Sequence, residues 1–242
     1  MRLGDAAAPV PPRVAKAYRS NGTLWQRLKT ACPDLWDDYL GTDFIWSLAE
    51  GTLSDDAFRY HITQDYLYRI HYARAYALAA YKADTVANLR KFLVRILAVL
   101  DSERTLHRSL LESWGISMME LDAVPESSAN VAYTCSILDC GAAGDLLDLH
   151  TALSPYVIGY AEVGRLLIGH ERTVLEGNPF RGWIEQYAGD NYQEVAHAAE
   201  THLDEVAAGR LSEERFAQLA RIFAQTVRLD IKFWETSFRV EI

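Results

Sequence analysis

The sequence predicts an all-α protein, and three observations support that prediction. Apolar residues recur every three or four positions along most of the chain, which is the period of an α-helix. Neither strand-like alternation nor an internal repeat of fixed period is found. The 242 residues are 50% hydrophobic, enough for one sizeable core. We therefore expect a single bundle of about seven to eight helices over residues 21–242, after a flexible arm over residues 1–20.

Helix-breaking and helix-capping residues divide the chain into successive predicted helices. Pro33 should split the segment 23–40 into two short helices, because proline lacks a backbone donor. Gly51 should end a further short helix over 43–49, and Ser54 should cap the long helix that follows, over 54–83. Later helices are expected over residues 85–114, 125–140, 145–169, 190–208 and 212–238.

Two aspartates lie in line with predicted core residues. On the helix over 54–83, Asp65 shares a face with Phe58 and Tyr68, because residues three and four apart lie on one side of a helix. Asp230 has the same relation to Trp234 on the last helix. A buried carboxylate needs a hydrogen bond, an ion pair, a proton or a wet cavity. Both a structural role and a binding role would meet that need.

The same helices provide tyrosines whose hydroxyls could lie near the two acids. An aromatic pocket with two carboxylates suits a flat, basic heterocycle, which stacks on the rings and pairs with a carboxylate. The tyrosines concerned are Tyr68, Tyr133, Tyr156, Tyr160 and Tyr187.

Composition narrows the possible partners and the compartment. The net charge of -9 disfavours nucleic acid and anionic membranes, so a small molecule is the expected partner. The N-terminal stretch does not resemble a signal peptide, and we expect no membrane-spanning segment. The three cysteines are odd in number and lack CxxC spacing, which disfavours a disulfide framework and fits a reducing cytoplasm.

A series of short motifs runs through residues 23–238. The motifs are Gly51-Thr52-Leu53, Phe58, Tyr60, Gln64-Asp65, Tyr68, Glu103 with Leu106-His107, Tyr133-Thr134, Tyr160 with Glu162-Val163-Gly164, Trp183-Ile184 with Tyr187, Gly189-Asp190, and Phe233-Trp234. In order and spacing this series resembles the TenA/thiaminase II family of the haem-oxygenase-like superfamily.

The resemblance implies a haem-oxygenase-like helical bundle around one pocket that binds an aminopyrimidine of thiamin salvage. It also implies a homo-oligomer, a homotetramer or a homodimer, and no cofactor. The residues implied to hold the pyrimidine are Asp65, Phe44, Tyr68, Tyr133, Tyr160 and Tyr187.

The sequence departs from the family pattern at two catalytic positions. Tyr156 stands where the family has its nucleophilic cysteine, and Asp230 stands where a glutamate is usual. A tyrosine, with an ordinary pKa near ~10, is a poor substitute for a thiolate. The catalytic residues expected here are therefore the acids Asp65 and Asp230 together with Tyr156, in a hydrolysis without a cysteine. A pyrimidine binder without catalysis is the alternative within the family.

The alternative outside this family is a different class of enzyme. Some relatives in the superfamily are iron-dependent oxidases or oxygenases, and their ligand positions match His107, Glu162 and His197. Two histidines and a carboxylate can hold one Fe(II) as a facial triad. Arg104 and Gln193 stand where a second metal would need acids. The iron alternative therefore predicts a single metal.

Overall fold

The computed structural model describes residues 10–101, 106–121 and 123–240, with side chains throughout these ranges except at residues 100–101, 106–109 and 118. All regular structure in the described residues is helical, so the all-α prediction is confirmed. None of the described helices is both long and apolar enough to cross a membrane.

The described residues form more and shorter helices than the seven to eight predicted, and Pro33 and Pro155 are among the residues that interrupt the longer segments. A π-helical turn, Pro155–Gly159, joins the tenth and eleventh helices. The α-helices are α1 (Pro12–Tyr18), α2 (Leu24–Ala31), α3 (Pro33–Leu40), α4 (Asp43–Glu50), α5 (Asp55–Tyr81), α6 (Val86–Asp101), α7 (Leu106–Ser113), α8 (Met118–Leu121), α9 (Ser128–Ala143), α10 (Leu146–Ser154), α11 (Tyr160–Gly169), α12 (Arg181–Ala188), α13 (Asp190–Ala207) and α14 (Glu213–Phe238).

Helix α1 lies inside the segment 1–20, for which a flexible arm is predicted. Ala17 is fully buried, and the Tyr18 ring packs against Phe216 of α14 with ring centroids 5.8 Å apart. These apolar contacts attach α1 to the bundle, so over this helix the structure differs from the expected arm. Residues 1–9 lie outside the described residues.

Helices α5 and α14 form the centre of the bundle and pack against each other. Ser54 caps α5 as predicted, because its side chain accepts a hydrogen bond from the backbone N–H of Ala57 at 3.2 Å. Helix α5 buries residues on nearly every side, from Phe58 near its start to Ala79 near its end. Side chains on this helix therefore lie inside the protein even where they are polar.

The π-helical turn has a local cause in the sequence. Pro155 has no N–H, so the carbonyl of Thr151 cannot receive the α-helical hydrogen bond from that residue. The Ser154 hydroxyl donates to the Thr151 carbonyl instead, at 2.8 Å. Pi-turns of this kind re-aim the side chains that follow, and here the turn presents Tyr156 to the centre of the bundle.

Helices α11 and α12 approach each other closely at Gly164. A Cβ atom at this position would lie 2.6 Å from the carbonyl oxygen of Tyr187 and 2.6 Å from the backbone nitrogen of Ala188. Only glycine allows this approach, and the approach fixes where Tyr187 enters the core.

Candidate functional site

The structure brings the predicted acids, tyrosines and phenylalanine into one buried group, called here the buried cluster. Its members come from α4, α5, α9, the π-helical turn, α11, α12 and α14, and each is at most 6% exposed. The buried cluster consists of Phe44, Asp65, Tyr68, Tyr133, Tyr156, Tyr160, Tyr187 and Asp230.

Ring contacts connect most of the buried cluster. Tyr68 packs against Tyr133 with ring centroids 5.0 Å apart, and Tyr160 packs against Tyr187 at 5.2 Å. The Tyr160 hydroxyl accepts a hydrogen bond from the indole N–H of Trp234 at 2.9 Å. Phe44 lies at the edge, where its ring stacks 6.3 Å from that of Trp234. The arrangement is a set of aromatic faces around polar tips.

Asp65 has a cationic neighbour and a hydroxyl donor. The Tyr156 hydroxyl donates to Asp65 Oδ1 at 3.1 Å, and Arg69 Nε lies 3.8 Å from Asp65 Oδ2. Arg69 Nε also donates to the Tyr156 hydroxyl at 3.4 Å. A guanidinium is charged at any physiological pH, so Arg69 favours the ionised form of Asp65.

Asp230 is fully buried and has no cation beside it in the described part of the chain. Hydroxyls of Tyr39 and Tyr133 lie nearby, although neither meets hydrogen-bond geometry with its carboxylate oxygens. Burial raises the pKa of Asp230 to about 8; the nearby hydroxyls lower it in part, and the charge of Asp65 raises it. Asp230 therefore carries a proton at neutral pH.

Tyr156 lies in the middle of the buried cluster. Its ring packs against Tyr68, Tyr72 and Tyr160, with centroids 4.5, 5.0 and 5.0 Å away. Burial first, and then the charge of Asp65, raise the pKa of Tyr156 well above its ordinary value. A phenol in this state supplies almost no phenolate at neutral pH, so Tyr156 cannot replace a thiolate nucleophile.

A cavity of about 170 Å³, called here the inner cavity, adjoins the buried cluster. An apolar cavity of about 150 Å³ can hold one benzene ring, so the inner cavity has room for one six-membered ring. Of the cluster residues, Tyr156 and Tyr187 line it, and the Tyr156 hydroxyl bond to Asp65 lies beyond that wall. The polar and aromatic side chains of the lining are Arg69, Tyr72, Arg95, Tyr156, Tyr187 and Tyr192.

Sequence reasoning named Tyr156 and Tyr187 among these lining residues and missed the other four, of which Arg69 and Tyr192 are instructive. Arg69 lies four positions after Asp65 on α5, and that spacing places a cation beside the acid. The sequence therefore carried a signal for Arg69. The sequence carried no signal for Tyr192, because its contact is with a residue distant in sequence. Its hydroxyl donates to the backbone carbonyl of Tyr156 at 3.3 Å.

The three residues of the iron alternative differ in their surroundings. Both carboxylate oxygens of Glu162 accept hydrogen bonds from Lys29 Nζ, at 2.6 and 2.8 Å. The Glu162 carboxylate is therefore already paired with an ammonium group. His197 is exposed on α13, and the side chain of His107 lies outside the described residues. Within the ranges described, no group of three or more His, Cys, Asp or Glu side chains could hold a metal. The triad stays a prediction.

Comparison with known proteins gives consistent matches along the chain. The model of the TENA/THI-4/PQQC family matches residues 30–240. A protein of Halalkalibacterium halodurans named aminopyrimidine aminohydrolase is 35% identical over 205 residues, which cover 84% of this chain and 90% of the relative.

Two further matches extend the comparison. A putative hydroxymethylpyrimidine/phosphomethylpyrimidine kinase 2 of Schizosaccharomyces pombe is 34% identical over 84% of this chain, which spans 36% of that longer protein. The crystal structure of a TenA family transcription regulator from Silicibacter sp. TM1040 superposes with a TM-score of 0.82 at 34% identity, covering 90% of this chain and 98% of the other.

Proposed function

Because the chain belongs to the TENA/THI-4/PQQC family, we propose that it binds an aminopyrimidine in the buried cluster and hydrolyses it with two acids. The observation that carries the proposal is the difference between Asp65, beside Arg69, and Asp230, whose pKa is raised to about 8. Two acids whose surroundings favour opposite protonation states form a base and acid pair. The relative named aminopyrimidine aminohydrolase supports this substrate class, and a role in thiamin salvage fits it.

Binding starts from the inner cavity. Tyr156 lies between that cavity and Asp65, so its side chain turns aside when a pyrimidine reaches the acid. The amino group of the pyrimidine then donates to Asp65 in place of the Tyr156 hydroxyl, a charge-assisted hydrogen bond. The other aromatic residues of the buried cluster, Phe44, Tyr68, Tyr133, Tyr160 and Tyr187, hold the ring by its faces and edges.

The proposed reaction is hydrolysis of the carbon–nitrogen bond to the leaving amine. Asp65 takes a proton from water as the water oxygen bonds to carbon, and Asp230 gives its proton to the departing nitrogen. The products are the alcohol and ammonia, and proton transfer from Asp65 back to Asp230 restores the pair. Tyr156 holds Asp65 only until the pyrimidine arrives, and it then shapes the site without becoming a nucleophile.

Titration calorimetry and an ammonia-release assay with aminomethyl and hydroxymethyl aminopyrimidines test the proposal. We expect Asp65→Asn to weaken binding by a few kcal/mol, on the order of a lost charge-assisted bond in a dry site. We expect Asp230→Asn to bind but to lose roughly 10²-fold or more in turnover, the size of a general-acid effect. The matched control is Asp139→Asn, which changes an exposed acid on α9. A wild-type protein with neither heat nor thermal shift for any of these pyrimidines would refute the assignment.

A pyrimidine-binding protein without catalysis is the second candidate. Tyr156 favours it, because this residue stands where the resemblance implies a thiol and its hydroxyl already bonds to Asp65. The related Silicibacter structure is described as that of a transcription regulator. Binding of the pyrimidines without ammonia release, in wild type and Asp230→Asn alike, would select this candidate.

Self-association is part of the proposal, as a homodimer or homotetramer in the cytoplasm. Helix α6 exposes a stripe of apolar side chains, and such a stripe marks an interaction surface. Light scattering after size-exclusion chromatography should give a multimer for wild type and a smaller species for Leu93→Glu. The stripe consists of Val86, Leu89, Leu93, Val94 and Leu97.

A further inference from the structure

Two buried amide side chains join α5 to the start of α9, and neither has a part in the proposed reaction. Gln64 is 2% exposed and Asn130 is fully buried. Gln64 Nε2 donates to the Pro125 carbonyl at 3.1 Å, and Gln64 Oε1 accepts from the Ser127 N–H at 2.9 Å. Asn130 Nδ2 donates to the Gln64 carbonyl at 3.0 Å and to Gln64 Oε1 at 3.3 Å. The two side chains with these partners are called here the amide clamp.

The amide clamp fixes how α5 is placed along α9. Apolar side chains hold two helices together and still allow small shifts, whereas hydrogen bonds need short distances and suitable angles. Sliding one helix past the other would stretch the bonds of the clamp and leave buried amide and carbonyl groups unpaired, which is costly. The clamp therefore favours one register of the two helices over its neighbours.

The next layer of the same helix interface contains two tyrosines of the buried cluster. Tyr68 lies four residues after Gln64 on α5, and Tyr133 lies three residues after Asn130 on α9, so each tyrosine shares a helix face with its clamp residue. The two tyrosine rings pack with centroids 5.0 Å apart. Asp65 directly follows Gln64, whose backbone carbonyl Asn130 holds. The register of the clamp therefore places Tyr133 relative to both Tyr68 and Asp65.

The Tyr133 hydroxyl connects this register to the second acid, because it lies near the Asp230 carboxyl group of α14. Burial raises the pKa of Asp230 to about 8, and the Tyr133 hydroxyl opposes that rise. Tyr133 belongs to α9, so a shift of α9 along α5 would move this hydroxyl. The groups on other helices that also act on Asp230 are Tyr39, Asp65, Tyr68, Tyr160 and Tyr187.

We propose that Gln64 and Asn130 are positioning residues, which keep the Tyr133 hydroxyl beside Asp230 by fixing the register of α5 and α9. Neither amide lines the inner cavity, so both act through Tyr133. The placement of Tyr133 rests on the amide clamp alone. Its effect on turnover rests on the proposed function, in which Asp230 gives its proton to the departing nitrogen and must be held in one orientation.

The pKa of Asp230 tests the placement of Tyr133 without any substrate. Asn130→Leu and Gln64→Met each remove one amide of the clamp and keep a side chain of similar size. NMR titration of the full chain with isotope-labelled aspartate carboxyl groups measures the pKa, and Asp230→Asn identifies the signal. We expect both clamp variants to raise the pKa of Asp230, because the Tyr133 hydroxyl no longer favours its charged form.

The matched control is Asn178→Leu, the same substitution at another buried asparagine. Asn178 Nδ2 donates to the Leu48 and Ala49 carbonyls, at 3.0 and 3.1 Å, and so holds the end of α4 instead of the interface between α5 and α9. This variant also loses buried hydrogen bonds and stability. It should leave the pKa of Asp230 unchanged.

Turnover tests the catalytic part of the proposal. In the ammonia-release assay both clamp variants should lose roughly 10-fold to 10²-fold in kcat, the size expected when a catalytic group is slightly misplaced. The fall of kcat at high pH, where Asp230 loses its proton, should move to higher pH together with the pKa measured by NMR. A clamp that only stabilised the fold would lower the amount of folded protein and leave the pH profile in place.

The outcomes separate this proposal from the proposed function. An unchanged pKa of Asp230 in the folded clamp variants would overturn the positioning role, whether or not the wild type releases ammonia. A raised pKa with a wild type that neither binds pyrimidine nor releases ammonia would support the role and count against the proposed function. An equal rise in Asn178→Leu would reflect general loosening and overturn the proposal. Circular dichroism confirms folding, and Gln64→Met provides the test if Asn130→Leu does not fold.

Discussion

Asp65 on α5 and Asp230 on α14 are the same residue type, are both buried, and belong to the same cluster. They differ in their neighbours. Asp65 has Arg69 on the next turn of its helix and the Tyr156 hydroxyl beside it, whereas Asp230 has nearby phenols and no cation in the described residues. Burial disfavours the charged form of both acids, and only Asp65 has a cation beside it, in the described residues, that opposes this effect. The proposed division of roles therefore depends on one arginine.

The largest expected effect is on the pH dependence of stability. An aspartate in the unfolded chain loses its proton near pH ~4, whereas the pKa of Asp230 in the folded protein is about 8. Between these values the folded state binds more protons, so its stability falls as pH rises, by up to about 1.4 kcal/mol per pH unit. Asp230→Asn should remove this slope and gain on the order of 5 kcal/mol over wild type at pH 8.

Urea unfolding of wild type and Asp230→Asn from pH 5 to pH 8 measures that difference. Other titrating groups, including His150, contribute equally to both proteins and cancel. Parallel stability curves would show that Asp230 ionises in the folded protein as it does in water, and the contrast between the two acids would disappear.

Asp65→Asn should act in the opposite direction. The substitution leaves the Arg69 guanidinium, whose side chain is only 16% exposed, without its carboxylate. We expect a loss of about 3 kcal/mol at pH 7, the upper range for a hydrogen bond to a charged group. The same urea unfolding measures it, with Asp139→Asn as the control that should change little. If Asp65→Asn were more stable than wild type, the Asp65 carboxylate would destabilise the folded protein, as is expected for Asp230, and the contrast between the two acids would fail.

Tyr156→Cys removes a hydroxyl donor from Asp65, so the surroundings of Asp65 become more like those of Asp230. Removing the ring takes a donor from Asp65 and enlarges the inner cavity, at a cost of about 1–3 kcal/mol. If Asp65, Tyr133 and Asp230 are already placed for chemistry, the thiol should raise the hydrolysis of aminopyrimidine or thiamin. Product formation over time measures this. A folded variant that binds and stays inactive would indicate that Asp230 is too short to reach the substrate, and equal activity would show that the acid pair suffices.

The smallest expected effect concerns iron. Lys29 already neutralises Glu162, so His197→Ala should leave the metal content unchanged. Elemental analysis of both proteins, purified without oxygen and supplied with Fe(II), checks this. About one iron per chain in wild type and none in His197→Ala would favour the triad. Glu162 would then be a third functional acid beside Asp65 and Asp230.

The helical period alone predicted much of this molecule. It placed Asp65 and Asp230 in line with core residues, and the motif series indicated the family that the comparisons then showed. The spacing of Asp65 and Arg69 also carried a signal for that pair, whereas the lack of a cation beside Asp230 in the described residues depends on tertiary packing and could not be predicted. The helical period also missed a cavity of about 680 Å³ between α6, α10 and α13, since these helices are distant in sequence and only their packing creates the space.

The close approach at Gly164 has a consequence for how such a site diverges. The ring at position 156 packs against other side chains, so a substitution there is met by side chains, which can shift. Any side chain at position 164 would push against the backbone of Tyr187 and Ala188 and move a wall of the site. Position 156 can therefore vary more freely than position 164, where only glycine keeps the gap between two helices.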